Sequence, residues 1–586
     1  MRILKRTAAA VTAVTLLTGL SSCGKQISKT DAASDTVFTN AEKTVTTAPE
    51  SEAEEEVTTA EEKTPEVEEI EYKKFSKTIE AELGALSGKL KTAKKRKGYK
   101  GDGYVSSFKN EGDRVDLAFS LEKSQFYTVK VRAASDKGAR LKLEINDTVR
   151  YITVDKDTFS EFLISNLYLE EGVLSISISP AEGQADVDRV TVEASDEVEK
   201  LDLTIKNAKL SNKNADEPAQ ALYQYICSVY GSQTLLGQYD SAGTDIETDA
   251  IYKLTGKYPA IRFGDLMSIT GADTSIAENE IEKVSQWHEN GGIVGLMWHW
   301  YAPDKKDEYY SEKTEFDLSK AVTKEDISEL SALEIEKLVK KKKISKQCQQ
   351  IVSDIDTVSE QLKTLKSRGI AVLWRPLHEA SNGYFWWGKD EKSYKWLWKL
   401  MYDRMTKLHG LDNLIWVWSA QNSSWYVGDD YCDILSLDIY DQGNLDGQID
   451  RLLFLRSINQ QKPIAMSECG NFPSIGNMVR EKAMWAYIGQ WGGNFLLNAD
   501  GELEESYNKK DDLIDIYNNE YTLTRDELPD LSKPVEEVSE EKDEKKEKDD
   551  KKSKEDESSE SKDSSEKDDS SKKDSKKKDA DSSSEE

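Results

Sequence analysis

A (β/α)8 barrel preceded by an antiparallel β-sandwich is the fold the sequence predicts, with charged, unstructured segments at both ends. Three observations lead there. From about residue 200 apolar strand-like runs alternate with amphipathic helical stretches, eight times over roughly 320 residues. Residues 71–196 instead show short period-two runs divided by turn signals. The remaining segments are too polar to build a core. At 586 residues the chain has room for two or three domains.

The N-terminus reads as an export signal. "MRILKR" is a basic n-region, and "TAAAVTAVTLLTGL" is an apolar stretch too short to span a membrane comfortably. It ends at "LSSCG". This resembles a bacterial lipobox, which implies a signal peptide over 1–23 and a lipidated Cys23 that anchors an exported protein on the outer face of the cell membrane. An ordinary signal peptide with an incidental cysteine is the plainer alternative. Residues 24–70 are rich in Thr, Glu, Ala and Ser and read as a solvated linker.

In residues 71–196 the runs "RVDLAFSL", "FYTVKVRAA", "RLKLEI", "VLSISISP" and "DRVTVEA" alternate apolar and polar positions, with "SDKG" and "EEG" between them. Period-two alternation at this spacing predicts a β-sandwich. The stretch has no tryptophan; Tyr99, Tyr104 and Tyr151 are left either to stack on a ligand or to fill the core.

Over 200–527 the expected strands are "TLLGQY", "YPAIRFGDL", "IVGLMWHW", "IAVLWRPLHE", "NLIWVWSA", "DILSLDIY", "PIAMSECG" and "NFLLN". Helical stretches such as "TSIAENEIEKVSQWHEN" and "ISKQCQQIVSDIDTVSEQLKTLKSRG" separate them. An open doubly wound sheet is the competing topology, but no Gly-rich phosphate loop follows the first strand. Residues 528–586 are a mixed-charge, low-complexity tail.

Composition narrows the function. With 80 Lys+Arg against 110 Asp+Glu the net charge is −30, which disfavours nucleic acid as a partner and favours a neutral one. Cys227, Cys348, Cys432 and Cys469 are scattered and form no CxxC pair, so neither a zinc nor a thiol redox site is expected, although an exported protein could pair some of them. All thirteen tryptophans lie between Trp287 and Trp491, and all four histidines between His288 and His409. Chemistry and flat ligand surfaces are therefore expected in the barrel, with several tryptophans, Trp396 and Trp398 among them, serving as core.

Polar residues at the C-terminal ends of barrel strands point into the active-site mouth. The third strand ends at His299, the fourth at Arg375, His378 and Glu379, the sixth at Asp438 and Tyr440, the seventh at Glu468. Glutamates on strands four and seven face each other across such a mouth. Two carboxyls about 5–5.5 Å apart are what a retaining glycosidase needs. One donates a proton and the other attacks the anomeric carbon. A guanidinium and a phenol, Arg375 and Tyr440, would keep the nucleophile ionised.

"WRPLHEASNGYFWWG" with "SECG" resembles glycoside hydrolase family 26, a retaining family best known for endo-β-1,4-mannanases. "GLMWHW", "YYSEKTEFDLSKAV", "WVWSAQN" and "LDIYD" extend the resemblance over about 215–520. The resemblance implies hydrolysis of internal bonds of β-mannan, glucomannan or galactomannan. Glu379 would be the acid/base and Glu468 the nucleophile, with no catalytic cofactor. His378 would orient the site, His299 would line the subsite of the attacked sugar, and Tyr440 would hold Glu468. Arg375, Tyr384, Trp386, Trp425 and Trp491 would complete the substrate site. Where mannanases of this family often carry tryptophan, five residues after the acid/base, this chain has Tyr384. A lichenase acting on β-1,3-1,4-glucan and a non-catalytic glycan-binding barrel are the competing readings.

"IEAELGALSG", "GYKGDGYVSSF", "FYTVKVRAA" and "VDRVTVEA" are similar to carbohydrate-binding modules of family 35 or 6. That similarity implies a structural Ca2+ held by Glu80, Glu82 and Asp188, oxygen ligands that suit a hard cation. A spacer domain whose acids merely face solvent is the alternative. A monomer is expected.

Overall fold

The computed structural model describes residues 70, 72–146 and 148–531. The signal peptide with Cys23, the linker short of residue 70 and the tail from residue 532 lie outside these residues.

Two antiparallel sheets enclose one apolar core in the N-terminal region. The first takes its strands in the order Lys91–Ala93, Tyr104–Phe108, Ala185–Ala194, Gln125–Ala134, Ser160–Leu169, and Ser76–Glu80 also pairs with Ala185–Ala194. The second runs Ala85–Ser87, Arg114–Leu121, Gly172–Gly183, Ala139–Ile145, Thr148–Val154. The alternation read from "RVDLAFSL" has the expected cause: Val115, Leu117, Phe119 and Leu121 are buried between the sheets. Of the three tyrosines, Tyr104 is buried, packed on Phe159 at 5.2 Å, while Arg140 covers the ring of Tyr151. Tyr99 is half-buried, 5.8 Å from Tyr104.

Eight parallel strands then close into a barrel. They are β1 (Thr234–Tyr239), β2 (Ile261–Asp265), β3 (Ile293–Trp298), β4 (Val372–Pro376), β5 (Leu414–Trp418), β6 (Ile434–Ile439), β7 (Ile464–Cys469) and β8 (Tyr487–Gln490). Each pairs with the next, and β1 pairs with both β2 and β8, which closes the ring. Every residue of the eight strands is buried. This is the near-continuous apolar pattern of strands covered on both faces. The helices wrap the outside. Lys346–Ser367 starts at Ser345, whose hydroxyl accepts from the Cys348 N–H, and turns Ile351, Val352, Ile355, Val358 and Leu362 inward.

The eighth strand corrects the sequence expectation. It is "YIGQ" rather than "NFLLN", whose first residues form a short helical turn, Gly493–Phe495. A five-residue apolar run carries no decisive periodicity. Ring closure settles the matter, because Leu235, Leu236 and Gly237 of β1 need parallel partners and find them in Tyr487, Ile488 and Gly489.

The sandwich packs directly on the barrel. Phe126 joins the barrel's apolar cluster, the Arg150 guanidinium donates to Asp446 at 2.8 Å, and Arg480 lies 4.1 Å over the Tyr168 ring. Cys227, Cys348, Cys432 and Cys469 are buried and free. Among the described residues no helix is long and apolar enough to cross a membrane.

Candidate active site

The site forms where β4 runs out. After Pro376 the backbone turns sharply, and two non-glycine residues, Leu377 and Glu379, take positive φ angles of 52° and 49°. Each such residue costs about 1–2 kcal/mol, so its neighbours must hold it. The Glu379 N–H donates to Ser419 O at 2.8 Å, and Trp387 Nε1–H donates to His378 O at 2.9 Å. The turn presents His378 and Glu379 side by side at the top of the barrel.

Arg375, buried at the barrel axis, organises the carboxylates. Its Nη1 donates to both Asp438 oxygens at 3.1 Å and to Ser419 Oγ at 3.0 Å, and its Nη2 donates to Glu468 Oε1. The other Glu468 oxygen accepts from the Tyr440 hydroxyl at 2.6 Å. Both oxygens of Glu468 therefore act as acceptors, as those of an ionised carboxyl do. Carboxylate oxygens of Glu379, Asp438 and Glu468 lie within 4.8 Å of one another, the only such cluster of metal-ligand type among the described residues. The cation among them is the Arg375 guanidinium.

Glu379 sits in a different environment. Its Oε2 accepts from the Tyr384 hydroxyl, which in turn accepts from Asn382 Nδ2 at 2.8 Å. Burial pushes its carboxyl up to about 7, with the negative charge of Asp438 adding to the rise. Asp438 itself is pushed up to about 6 by burial, with Arg375 opposing. One glutamate is thus set up to carry a proton near neutrality, while the other is clamped by a cation and a phenol. This split supports general-acid and nucleophile chemistry at one site.

The histidines form a relay. Asp265, at the end of β2, accepts from the His299 backbone N–H at 3.0 Å and meets His299 Nδ1 at 2.7 Å. With Nδ1–H given to the carboxylate, His299 Nε2 is left to accept from His378 Nε2–H at 3.2 Å. Burial, then the neighbouring His299, drives the His378 imidazole well below its usual range, so it stays neutral. Asp265 received no role from the sequence. The signal was present in "FGDL", a carboxylate ending an apolar strand, as Glu468 ends β7.

The aromatic expectations divide. Trp491 follows β8 half-exposed, its ring 4.8 Å from Tyr239 and 6.2 Å from His299, placed to wall the mouth. Trp425, also half-exposed, lies on the loop after β5 and packs on Tyr394 at 5.3 Å. Trp386 is corrected. Its ring is fully buried against Trp300, Phe316 and Trp387, with Nε1–H donating to Trp300 O at 2.6 Å, so no face is open to a sugar. Tyr384, half-exposed, meets the site through its hydroxyl, its ring packing edge-on against Phe385. Tyr309, half-exposed and 5.0 Å from His299, was missed; adjacent tyrosines in a loop gave no sign of which one turns toward the mouth.

In the N-terminal sandwich, Glu80 and Glu82 each have a buried oxygen, Oε2, without a hydrogen-bond partner. The Glu80 carboxyl is raised by burial and next by the Asp188 charge. Asp188 is fully buried and already engaged, with Arg132 at 2.5 Å and the Lys100 N–H at 2.9 Å.

Comparison with known proteins gives the chain its relatives. The sequence profile of glycosyl hydrolase family 26 matches residues 211–527. A mannan endo-1,4-β-mannosidase of Thermothelomyces thermophilus is 34% identical over 469 residues, covering 77% of this chain and 90% of that protein. The crystal structure of a Podospora anserina GH26-CBM35 β-(1,4)-mannanase superposes with a TM-score of 0.51 at 32% identity, covering 78% of this chain and 99% of that one. A ruminal GH26 endo-β-1,4-mannanase gives a TM-score of 0.58 at 29% identity, covering 78% and 99%.

Proposed function

Since the chain belongs to glycosyl hydrolase family 26, we propose that it is a retaining endo-β-1,4-mannanase acting on mannan, glucomannan or galactomannan. The observation that carries the stereochemistry is the approach of Glu379 and Glu468 oxygens to within 4.8 Å. Retaining glycosidases hold their carboxyls about 5–5.5 Å apart, whereas inverting ones leave about 6.5–9.5 Å for a water.

In the first step Glu379, protonated because it is buried, gives its proton to the leaving glycosidic oxygen. Glu468, held by Arg375 and Tyr440, attacks the anomeric carbon and forms a glycosyl ester. In the second step Glu379, now ionised, takes a proton from water as that water displaces Glu468. His378 and His299, locked by Asp265, face the sugar in the attacked subsite, and Trp491 provides a wall. The names of the T. thermophilus and ruminal relatives, both mannanases, favour mannan over β-1,3-1,4-glucan.

The test is product analysis. Linear β-1,4-mannan should yield a ladder of oligosaccharides whose new reducing ends form first as the β-anomer, seen by proton NMR. Glu468→Ala should abolish turnover and still bind mannan. Release of reducing ends from lichenan but not from mannan would overturn the substrate assignment.

The same reading extends to the N-terminal region as a carbohydrate-binding module with a structural Ca2+. Two buried carboxylate oxygens without partners support a hard cation there, one that would have to draw the acids together, since their oxygens do not converge within 4.8 Å of one another as those of Glu379, Asp438 and Glu468 do. Glu80 and Glu82 would hold it, with Asp188 sharing its charge with Arg132. Adding Ca2+ to chelator-treated protein should raise the melting temperature of the sandwich; an unchanged value would exclude the site. We place the protein at the cell surface, tethered through a lipidated Cys23, on the strength of the "LSSCG" segment. Cys23→Ser should then release it from the membrane fraction.

A further inference from the structure

We propose that Tyr384 is a positioning residue for the acid/base, setting which oxygen of Glu379 carries the transferable proton. This rests on the assignment of Glu379 made above. The sequence suggests a sugar-stacking platform at this position, but the hydrogen bonds place the hydroxyl on the carboxyl group.

The Tyr384 hydroxyl donates to Glu379 Oε2. Its direction is set from behind, because Asn382 Nδ2 donates to the phenol oxygen at 2.8 Å, which leaves the O–H to point at the carboxyl. The ring is also fixed. It packs edge-on against Phe385, which stacks on Trp387 at 4.5 Å, and Ser311 N–H grips the Tyr384 carbonyl at 2.6 Å. A packing role needs none of this hydroxyl geometry.

An oxygen that accepts a fixed hydrogen bond is the poorer place for the acid's own proton. The proton therefore resides on Oε1, the oxygen left free for the leaving group. In the second step the same donor stabilises the carboxylate that must act as base. Burial and Asp438 favour the protonated form, while Tyr384, Asn382 and Arg375 favour the charged one. The remaining ionisable groups facing Glu379 are Glu468 from β7 and Tyr440 after β6. Burial holds the Tyr384 hydroxyl well above its usual range, so it remains a donor throughout.

The experiment is Tyr384→Phe, which keeps the ring and removes the hydroxyl. On manno-oligosaccharides the alkaline limb of the kcat/KM profile should move up by about one pH unit, the effect of one lost charge-assisted hydrogen bond. At the optimum kcat/KM should fall about tenfold. On a nitrophenyl manno-oligoside, whose leaving group needs no proton, kcat/KM should hold to within about twofold. An unmoved alkaline limb, or equal losses on both substrates, overturns the proposal and leaves Tyr384 a packing or stacking residue. If the Phe variant is unfolded by circular dichroism, Asn382→Ala serves instead. It frees the hydroxyl to rotate and should shift the limb the same way by a smaller amount; no shift overturns the proposal. Failure of the underlying assignment looks different, since Glu379→Gln would then retain wild-type activity on manno-oligosaccharides.

Discussion

Glu379 and Glu468 are the same residue type in opposite surroundings, and those surroundings suit the acid and nucleophile roles proposed for them. Glu468 receives a guanidinium and a phenol. Glu379 receives the Tyr384 phenol and lies near the charge of Asp438. Its carboxyl, raised to about 7, is neutral below that pH and loses its proton above it. The acid form is what the proposed first step uses, so kcat/KM on mannan should decline as pH rises through about 7. Glu379→Gln should cost about 10²–10⁴-fold on mannan and flatten that alkaline limb. An alkaline limb unchanged in the Gln variant would assign the titration to another group.

At the scale of elements, the turn after β4 and the two tryptophans beyond it act together. The adjacent pair at 386 and 387 looks in sequence like a sugar-binding wall. Folded, the pair is a brace: Trp387 holds the His378 carbonyl, and Trp386 holds the Trp300 carbonyl under the loop after β3. Two residues at positive φ persist because the Trp387 bond to His378 O and the Glu379 N–H bond to Ser419 O fix the turn. Trp386→Ala should therefore cost about 3–5 kcal/mol of stability, measured by denaturant unfolding, with KM on mannan little changed. Trp491→Ala should do the reverse, raising KM severalfold with little loss of stability. A large KM effect at Trp386 without destabilisation would restore it as a sugar platform. A pair of aromatics just past a strand end is compatible with either role, and only burial separates them.

Across the whole molecule, the sandwich leans on the barrel near the loop that begins at Tyr440. Arg150 reaches Asp446 in that loop, and Arg480 covers Tyr168. Close by, Glu481 is buried with Arg480 only 3.4 Å away and Asp446 as a like charge. Burial pushes its carboxyl up to about 8. The sign follows from linkage: the folded state binds this proton more tightly than the unfolded one, so stability is lost as pH rises from the unfolded value through about 8. Glu481→Gln, which keeps the shape without the charge, should raise Tm by several degrees at pH 8.5 and leave it nearly unchanged at pH 4. Equal shifts at both pH values would show that its ionisation is not what strains the fold.

Much of this was legible in the chain itself. Alternation in "RVDLAFSL" and the strand–helix rhythm after residue 200 identify the two folds, because one-face burial and two-face burial leave different periods in sequence. Apolar runs that lead into Arg375, Glu379, Glu468 and His299 mark the mouth of the barrel, where polar groups at and just past strand ends gather. The fold class, the family and the candidate pair of glutamates can all be read from the chain alone. Tertiary structure decided what depends on distance between remote segments. It made "YIGQ" the closing strand, buried Trp386, brought Asp265 beneath His299 and set the Tyr384 hydroxyl on Glu379. Local pattern records whether a residue is buried or exposed on its own element. Which partner it meets is settled only when the barrel closes and brings residues far apart in the chain to within a hydrogen bond of each other.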